Sequence, residues 1–234
     1  YSPDSGVSWT VATGISTANW FGLTASSSGQ YVGAIVGCYD GGCTDGALYL
    51  SQDYGASWIL STAPAGTSFS AIASSASGAI MIASTGASTI YNGVVQVVAE
   101  PSAAPTVAST AAPSVTLDNT WTPSSTAPDK CWNAVASDQS GDTQIGLVCL
   151  GGGIWISRDQ QDSWQQTSAP NENWFRACVS SDGANMVAGV SGGNVYYSSD
   201  NGNLWEVSAG APSGEWNGFA CSSSGQYVIG VYWT

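Results

Sequence analysis

The chain has 234 residues, with 3 Lys+Arg against 16 Asp+Glu, no His and a formal net charge of -13. That balance argues against nucleic acid or an anionic membrane as partner, since both select basic surfaces, and no run of about 20 apolar residues is available to cross a bilayer. Charged residues are only 8% of the chain, far below the usual quarter, so a surface of Ser, Thr, Gly, Ala and Asn must be kept soluble by glycosylation or be taken up in assembly.

The chain begins inside a motif, Ser2-Pro-Asp-Ser-Gly-Val-Ser-Trp9, with no initiator Met and no signal peptide, as in a mature or partial chain. The motif returns as Ser51-Gln-Asp-Tyr-Gly-Ala-Ser-Trp58, Ser157-Arg-Asp-Gln-Gln-Asp-Ser-Trp164 and Ser198-Ser-Asp-Asn-Gly-Asn-Leu-Trp205. A decayed copy runs from Ser114 to Trp121. A second marker follows each motif by ten or eleven residues: Trp20, Phe69, Trp132, Trp174 and Trp216, each nine residues before a glycine. Five units result, each fixed at both ends.

Within the first unit, Trp20–Ala25, Gln30–Val36, Ala47–Ser51 and Ser57–Ser61 are short runs rich in aliphatic and aromatic residues, separated by Gly/Ser/Asp turns. Such runs predict four antiparallel strands joined by hairpins; no stretch has a helical period with caps. The second unit is about twenty residues longer than the fourth. Its extra chain, within residues 94–126, is rich in Pro, Ser, Thr and Ala and should lengthen the hairpin between third and fourth strands into an arm. The arm reads either as a flexible loop or as an O-glycosylated or partner-binding element, with Ser102, Thr106, Ser109, Thr110, Ser114, Thr122, Ser124, Ser125 and Thr126 as acceptors. No Asn-x-Ser/Thr sequon exists in the chain.

The expected fold is all-β: one domain, a five-bladed β-propeller with four-stranded antiparallel blades. Residues 1–13 should complete the last blade, closing the ring by pairing the N- and C-terminal segments. That blade is about four residues short, those matching Gly193–Tyr196, and an unpaired edge there would admit a neighbour's strand.

Ser-x-Asp-x-Gly-x-Ser-Trp resembles the Asp-box of the BNR-repeat propellers, found in sialidases, sortilin-type receptors and several glycosidases. The resemblance implies that Asp4, Asp53, Asp159 and Asp200 are structural turn residues and says nothing of activity. Sialidases of this architecture hold their substrate's carboxylate with three arginines. This chain has two, Arg158 inside a motif and Arg176 after Trp174, so sialidase chemistry is set aside. A glycosidase needs two carboxylates about 5.5 Å or 6.5–9.5 Å apart, and 16 Asp+Glu leave that open.

Six cysteines with few Lys suit an oxidising compartment. Cys38 and Cys43 bracket a turn-rich loop and should pair locally; the pairing of Cys131, Cys149, Cys178 and Cys221 is not fixed by spacing. A zinc site is the competing reading of those four, weakened by the lack of a Cys-x-x-Cys pair or any His. The face opposite the motifs should carry Asn19, Asp129, Glu172, Asn173 and Glu215, next to the leading aromatics, with Asp40 and Asp45 in the Cys-bracketed loop. This acidic rim reads as a solvated surface, or else as a site for a sugar or a calcium ion. Nine of the eleven Trp occupy the two repeat positions and read as core rather than as a sugar platform.

The expected function is a secreted, non-catalytic structural or adhesive module that binds itself, as oligomer, filament or coat, without a cofactor. A glycan-binding lectin and a two-carboxylate glycosidase are the alternatives.

Overall fold

A computed structural model describes residues 1–2, 7–15, 18–37, 46–86, 88–98, 116–160 and 163–233. Among them every regular element is a strand. The first sheet is β1 (Trp20–Ala25), β2 (Val32–Val36), β3 (Ala47–Ser51) and β4 (Ile59–Leu60). The second is β5 (Phe69–Ser74), β6 (Ile80–Thr85), β7 (Ile90–Val98) and β8 (Thr116–Pro123). The third is β9 (Trp132–Ser137), β10 (Gln144–Val148), β11 (Ile154–Ser157) and β12 (Gln165–Gln166). The fourth is β13 (Trp174–Val179), β14 (Met186–Val190), β15 (Val195–Ser198) and β16 (Glu206–Val207), and the fifth β17 (Glu215–Cys221) and β18 (Val228–Trp233). In each sheet the strands pair antiparallel in sequence order, so every connection is a hairpin and each sheet is a local unit.

The leading strands pack in series, β1 on β5, β5 on β9, β9 on β13 and β13 on β17. The core therefore lies as layers between successive sheets. Ile35, Leu48 and Leu50 of the first sheet meet Phe69, Met81 and Ala83 of the second. Ile82 and Ile90 meet Trp132 and Val148, and Ile145, Leu147 and Ile156 meet Trp174, Met186 and Ala188. Phe69, Trp132 and Trp174 are fully buried. A register irregularity follows the leading aromatic at Trp20/Gly22, Phe69/Ala71, Trp174/Arg176 and Trp216/Gly218. One extra residue at that point re-aims a side chain, which lets a large ring turn into the layer at the start of its strand.

The insertion lengthens the hairpin of the second sheet: β7 and β8 pair from Tyr91–Pro123 to Val98–Thr116. Residues 99–115 lie outside the described residues.

The pairing of the chain's two ends that ring closure requires is not seen among the described residues. Among the described residues β17 and β18 pair only with each other. The N-terminal segment is bonded to the first sheet, where Thr13 N donates to Ala56 O (2.9 Å) and Trp58 N to Thr13 O (3.1 Å). Tyr1 and Thr10 exchange two main-chain bonds of 2.8 and 2.9 Å, so residues 1–2 and 7–10 are the two arms of an N-terminal hairpin; residues 3–6 lie outside the described residues. The physical reason is local: the residues after Trp9 bond the motif turn of the next sheet whether or not the inner strands of their own sheet stand beside them.

Candidate functional site

The motif turns are closed by their own side chains. Asp53 accepts from Ser51 Oγ (2.8 Å) and Ser57 N (2.8 Å) on one oxygen and from Ser57 Oγ (2.5 Å) on the other. Ser51 Oγ in turn accepts from Gly55 N (2.9 Å), and Trp58 Nε1 donates to Gly55 O (2.9 Å). Asp159 repeats this with Ser157 and Ser163, and Asp200 with Ser198 Oγ, Asn203 N and Leu204 N. Each carboxyl is held below the ordinary Asp value. At Asp159 the Ser163 hydroxyl is the main cause and at Asp200 the Leu204 amide. At Asp53 partial burial acts the other way and is outweighed by the bonds from Ser57 and Ser51. These bonds tie each carboxylate into its own turn. Asp4 lies outside the described residues.

A second turn chemistry, which the sequence reading passed over, joins the first and second strands of every sheet. Two short polar side chains two residues apart bond each other: Ser26 with Ser28 (3.1 Å), Ser75 with Ser77 (3.1 Å), Ser140 onto Asp138 (3.0 Å), Ser180 onto Asp182 (2.6 Å) and Ser222 with Ser224 (3.5 Å). The residue between each pair links the sheets. Ser27 N donates to Ala76 O (2.8 Å), Ala76 N to Gln139 O (2.7 Å), Gln139 N to Ser181 O (3.0 Å) and Ser181 N to Ser223 O (2.8 Å). These turns surround a pocket of about 420 Å³ to which all five sheets contribute, among them Ser27, Ser75, Asp138, Ser181 and Ser223. Asp138, buried, spends its oxygens on Ser140 Oγ and Gly141 N.

The proposed acidic rim lies among bonds that close the mouths of single sheets and bonds that tie one sheet to the next. Asn19 O accepts from Gly37 N (3.2 Å) and Asn173 O from Ser191 N (2.9 Å). Asn173 Oδ1 accepts from Leu150 N (3.0 Å), and Glu172 N donates to Gly152 O (2.9 Å), both ties from the third sheet to the fourth. Glu215 Oε2 accepts from Ser191 Oγ (2.6 Å), a tie from the fourth to the fifth. Asp129 is exposed. Among the described residues no three His, Cys, Asp or Glu converge as metal ligands; Asp40 and Asp45 are outside them. Arg158 donates to Asn201 O (2.6 Å) and Asn203 Oδ1 (3.1 Å) across the motif turns. Arg176 lies 4.0 Å from the Phe175 ring centre, so the two arginines are engaged locally.

Cys131 pairs with Cys149 and Cys178 with Cys221. The first ties the start of β9 to the end of β10 and the second joins the fourth and fifth sheets, so none of these four thiols remains for zinc. Cys38 and Cys43 lie outside the described residues, as do Ser102, Thr106, Ser109, Thr110 and Ser114. Of the remaining hydroxyl candidates, Ser124 Oγ accepts from Ala127 N (3.1 Å) within a turn, while Thr122, Ser125 and Thr126 are exposed.

Apolar surface is exposed at both ends of the series. At the first sheet a pocket of about 370 Å³ lies between the N-terminal hairpin (Tyr1, Trp9) and Trp20, Leu23, Val32 and Trp58. At the fifth, Tyr227, Ile229 and Val231 are 70%, 72% and 59% exposed.

No family model matches the chain, and no curated protein matches it. Solved structures do. A GH74 enzyme of Niastella koreensis aligns over 87% of this chain and 26% of its own, with 18% identity and a TM-score of 0.58. The Cps50 (Swd1) β-propeller domain of Myceliophteria thermophila aligns over 95% and 65%, with 9% identity and a TM-score of 0.63. YCF48 from Cyanidioschyzon merolae aligns over 83% and 61%, with 13% identity and a TM-score of 0.55. The chain spans less than two thirds of each of these relatives. At such identities the likeness is one of fold: serial four-stranded antiparallel sheets, packed face to face, in the β-propeller architecture.

Proposed function

We propose that this chain is a five-bladed propeller acting as a non-catalytic, extracellular structural or adhesive module that self-associates into a filament or coat. The observation that carries the reading is the two-stranded fifth sheet, whose outer edge has no strand partner among the described residues and whose Ile229 and Val231 face solvent. A flat, apolar, unpaired edge is a template for another strand. Soluble proteins blunt such edges with charge, and this chain has little charge to spend, 8% overall. Two disulfides agree with an oxidising, secreted setting, and exposed Thr122, Ser125 and Thr126 leave room for O-linked sugars. The glycan-binding and glycosidase readings need carboxylates aimed into an open cleft, whereas Glu215 is bonded to Ser191. Sedimentation of the purified chain over a hundredfold concentration range, with negative-stain imaging, tests the reading. Oligomers or filaments are expected, and a monomer throughout would refute it.

A further inference from the structure

The fifth sheet and the N-terminal hairpin are complementary halves of one unit. In the first four sheets the second strand bonds a third on its outer side; β18 does not, among the described residues. The hairpin has the converse lack: Tyr1 and Thr10 bond each other as Leu50 and Ile59 do in β3 and β4, which makes it the outer end of a sheet without inner strands. The aromatic pairs agree. Trp58 lies 6.5 Å from Trp20, Trp164 6.0 Å from Trp132 and Trp205 6.5 Å from Trp174. Trp216 has Tyr232 and Phe219 beside it instead.

We propose that the N-terminal hairpin of a second copy adds to the outer edge of β18, with Tyr1 opposite Ile229, Ser2 opposite Val228 and Trp9 over Trp216. This rests on the self-association reading and names its contact. The register is that of the first sheet, where Leu50 pairs Gly33 and Ser51 pairs Val32, carried to the fifth through the strand alignments. The occupant is another copy because a chain's own hairpin is bonded to its first sheet at Ala56 and Trp58 and, among the described residues, makes no strand pair with β18. Once Thr13 is released, the nine residues from Val11 to Asn19 tether the hairpin with a reach of roughly 30 Å. A contact between two different patches of the chain does not close on itself as an isologous dimer does, so it propagates as a filament, and main-chain pairing supplies the affinity.

The test is a Tyr1→Cys, Ile229→Cys double variant, oxidised at assembling concentration, run on non-reducing gels with the bond mapped by mass spectrometry. Unshifted near-ultraviolet circular dichroism would show that the fold is kept. A ladder of covalent multimers is expected, joined through the two introduced thiols and lost in either single variant. A cross-link inside one chain would overturn the proposal in favour of ring closure, and the absence of any such cross-link would also overturn it. Sedimentation of the same sample separates the two readings: particles without the ladder leave self-association standing and remove this contact, whereas monomer without the ladder removes both.

Discussion

Replacing Asp53 by Ala removes the acceptor of three hydrogen bonds, from Ser51 Oγ, Ser57 N and Ser57 Oγ. Each is worth about 0.5–1.5 kcal/mol net, and because solvent reaches this turn the lower part of that range applies, giving a loss of about 1–2 kcal/mol at pH 7 for Asp53→Ala. Asp53→Asn keeps one acceptor oxygen for Ser51 and Ser57 N and should lose about half as much. The carboxyl is held below its ordinary value in the folded state. A depressed folded pKa gives stability that is complete above the unfolded value of about 3.9 and is lost as pH falls through the folded pKa. Urea unfolding followed by Trp fluorescence at pH 7, 4 and 2.5 measures this. The gap between wild type and Asp53→Asn should close as the pH drops below about 4. A gap that stays constant to pH 2.5 would refute the claim that the ionised carboxylate closes the turn.

Three further changes probe the layers between sheets. Gly189→Ala would bring a Cβ to 2.7 Å from Phe219 and 2.9 Å from Trp216, and overpacking of this kind should cost about 1–3 kcal/mol, measured as a lowered urea midpoint. Trp205→Ala empties a buried site against Trp174 and should cost about 3–5 kcal/mol by the same assay. Opening the Cys178–Cys221 bond, which spans 43 residues, should cost about 4 kcal/mol on a chain-entropy estimate. Differential scanning calorimetry of a Cys178→Ala, Cys221→Ala variant would read that loss.

Much of the fold was legible because the two repeated aromatics have one job each. The leading ring starts the inner strand and fills the layer, as Trp132 and Trp174 do. The motif Trp folds back over the leading ring of its own sheet. The motif Asp was legible for a similar reason: a carboxylate two residues after a Ser and four before another can satisfy a turn locally, and Asp53 and Asp159 do so. The pairing of the N-terminal hairpin with the last sheet was legible only as repeat spacing. Repeat spacing assigns the hairpin to the last sheet, and the bond the structure describes outside the hairpin is to the next sheet. Thr13 meets Ala56 just as Thr62 meets Asn119 and Ser168 meets Asn203, each four residues after a motif Trp, so that contact forms without the inner strands of the fifth sheet.

The candidate site was less legible, because position in a repeat fixes where a residue sits and not which way its polar group is spent. Glu172, Asn173 and Glu215 all precede a leading Trp by one or two residues, which puts them at the mouth of the sheets. At that place a backbone amide or side-chain oxygen can turn toward the axis or toward the neighbouring sheet. The nearest unmet donors decide it: Leu150 N and Ser191 Oγ stand on the adjoining loops, and they take the oxygens of Asn173 and Glu215. Seams at internal positions consume the polar groups in this way, one sheet after another. Apolar surface left for a partner then lies at the two ends of the series, where Leu23 and Trp9 on one side and Ile229 and Val231 on the other are exposed.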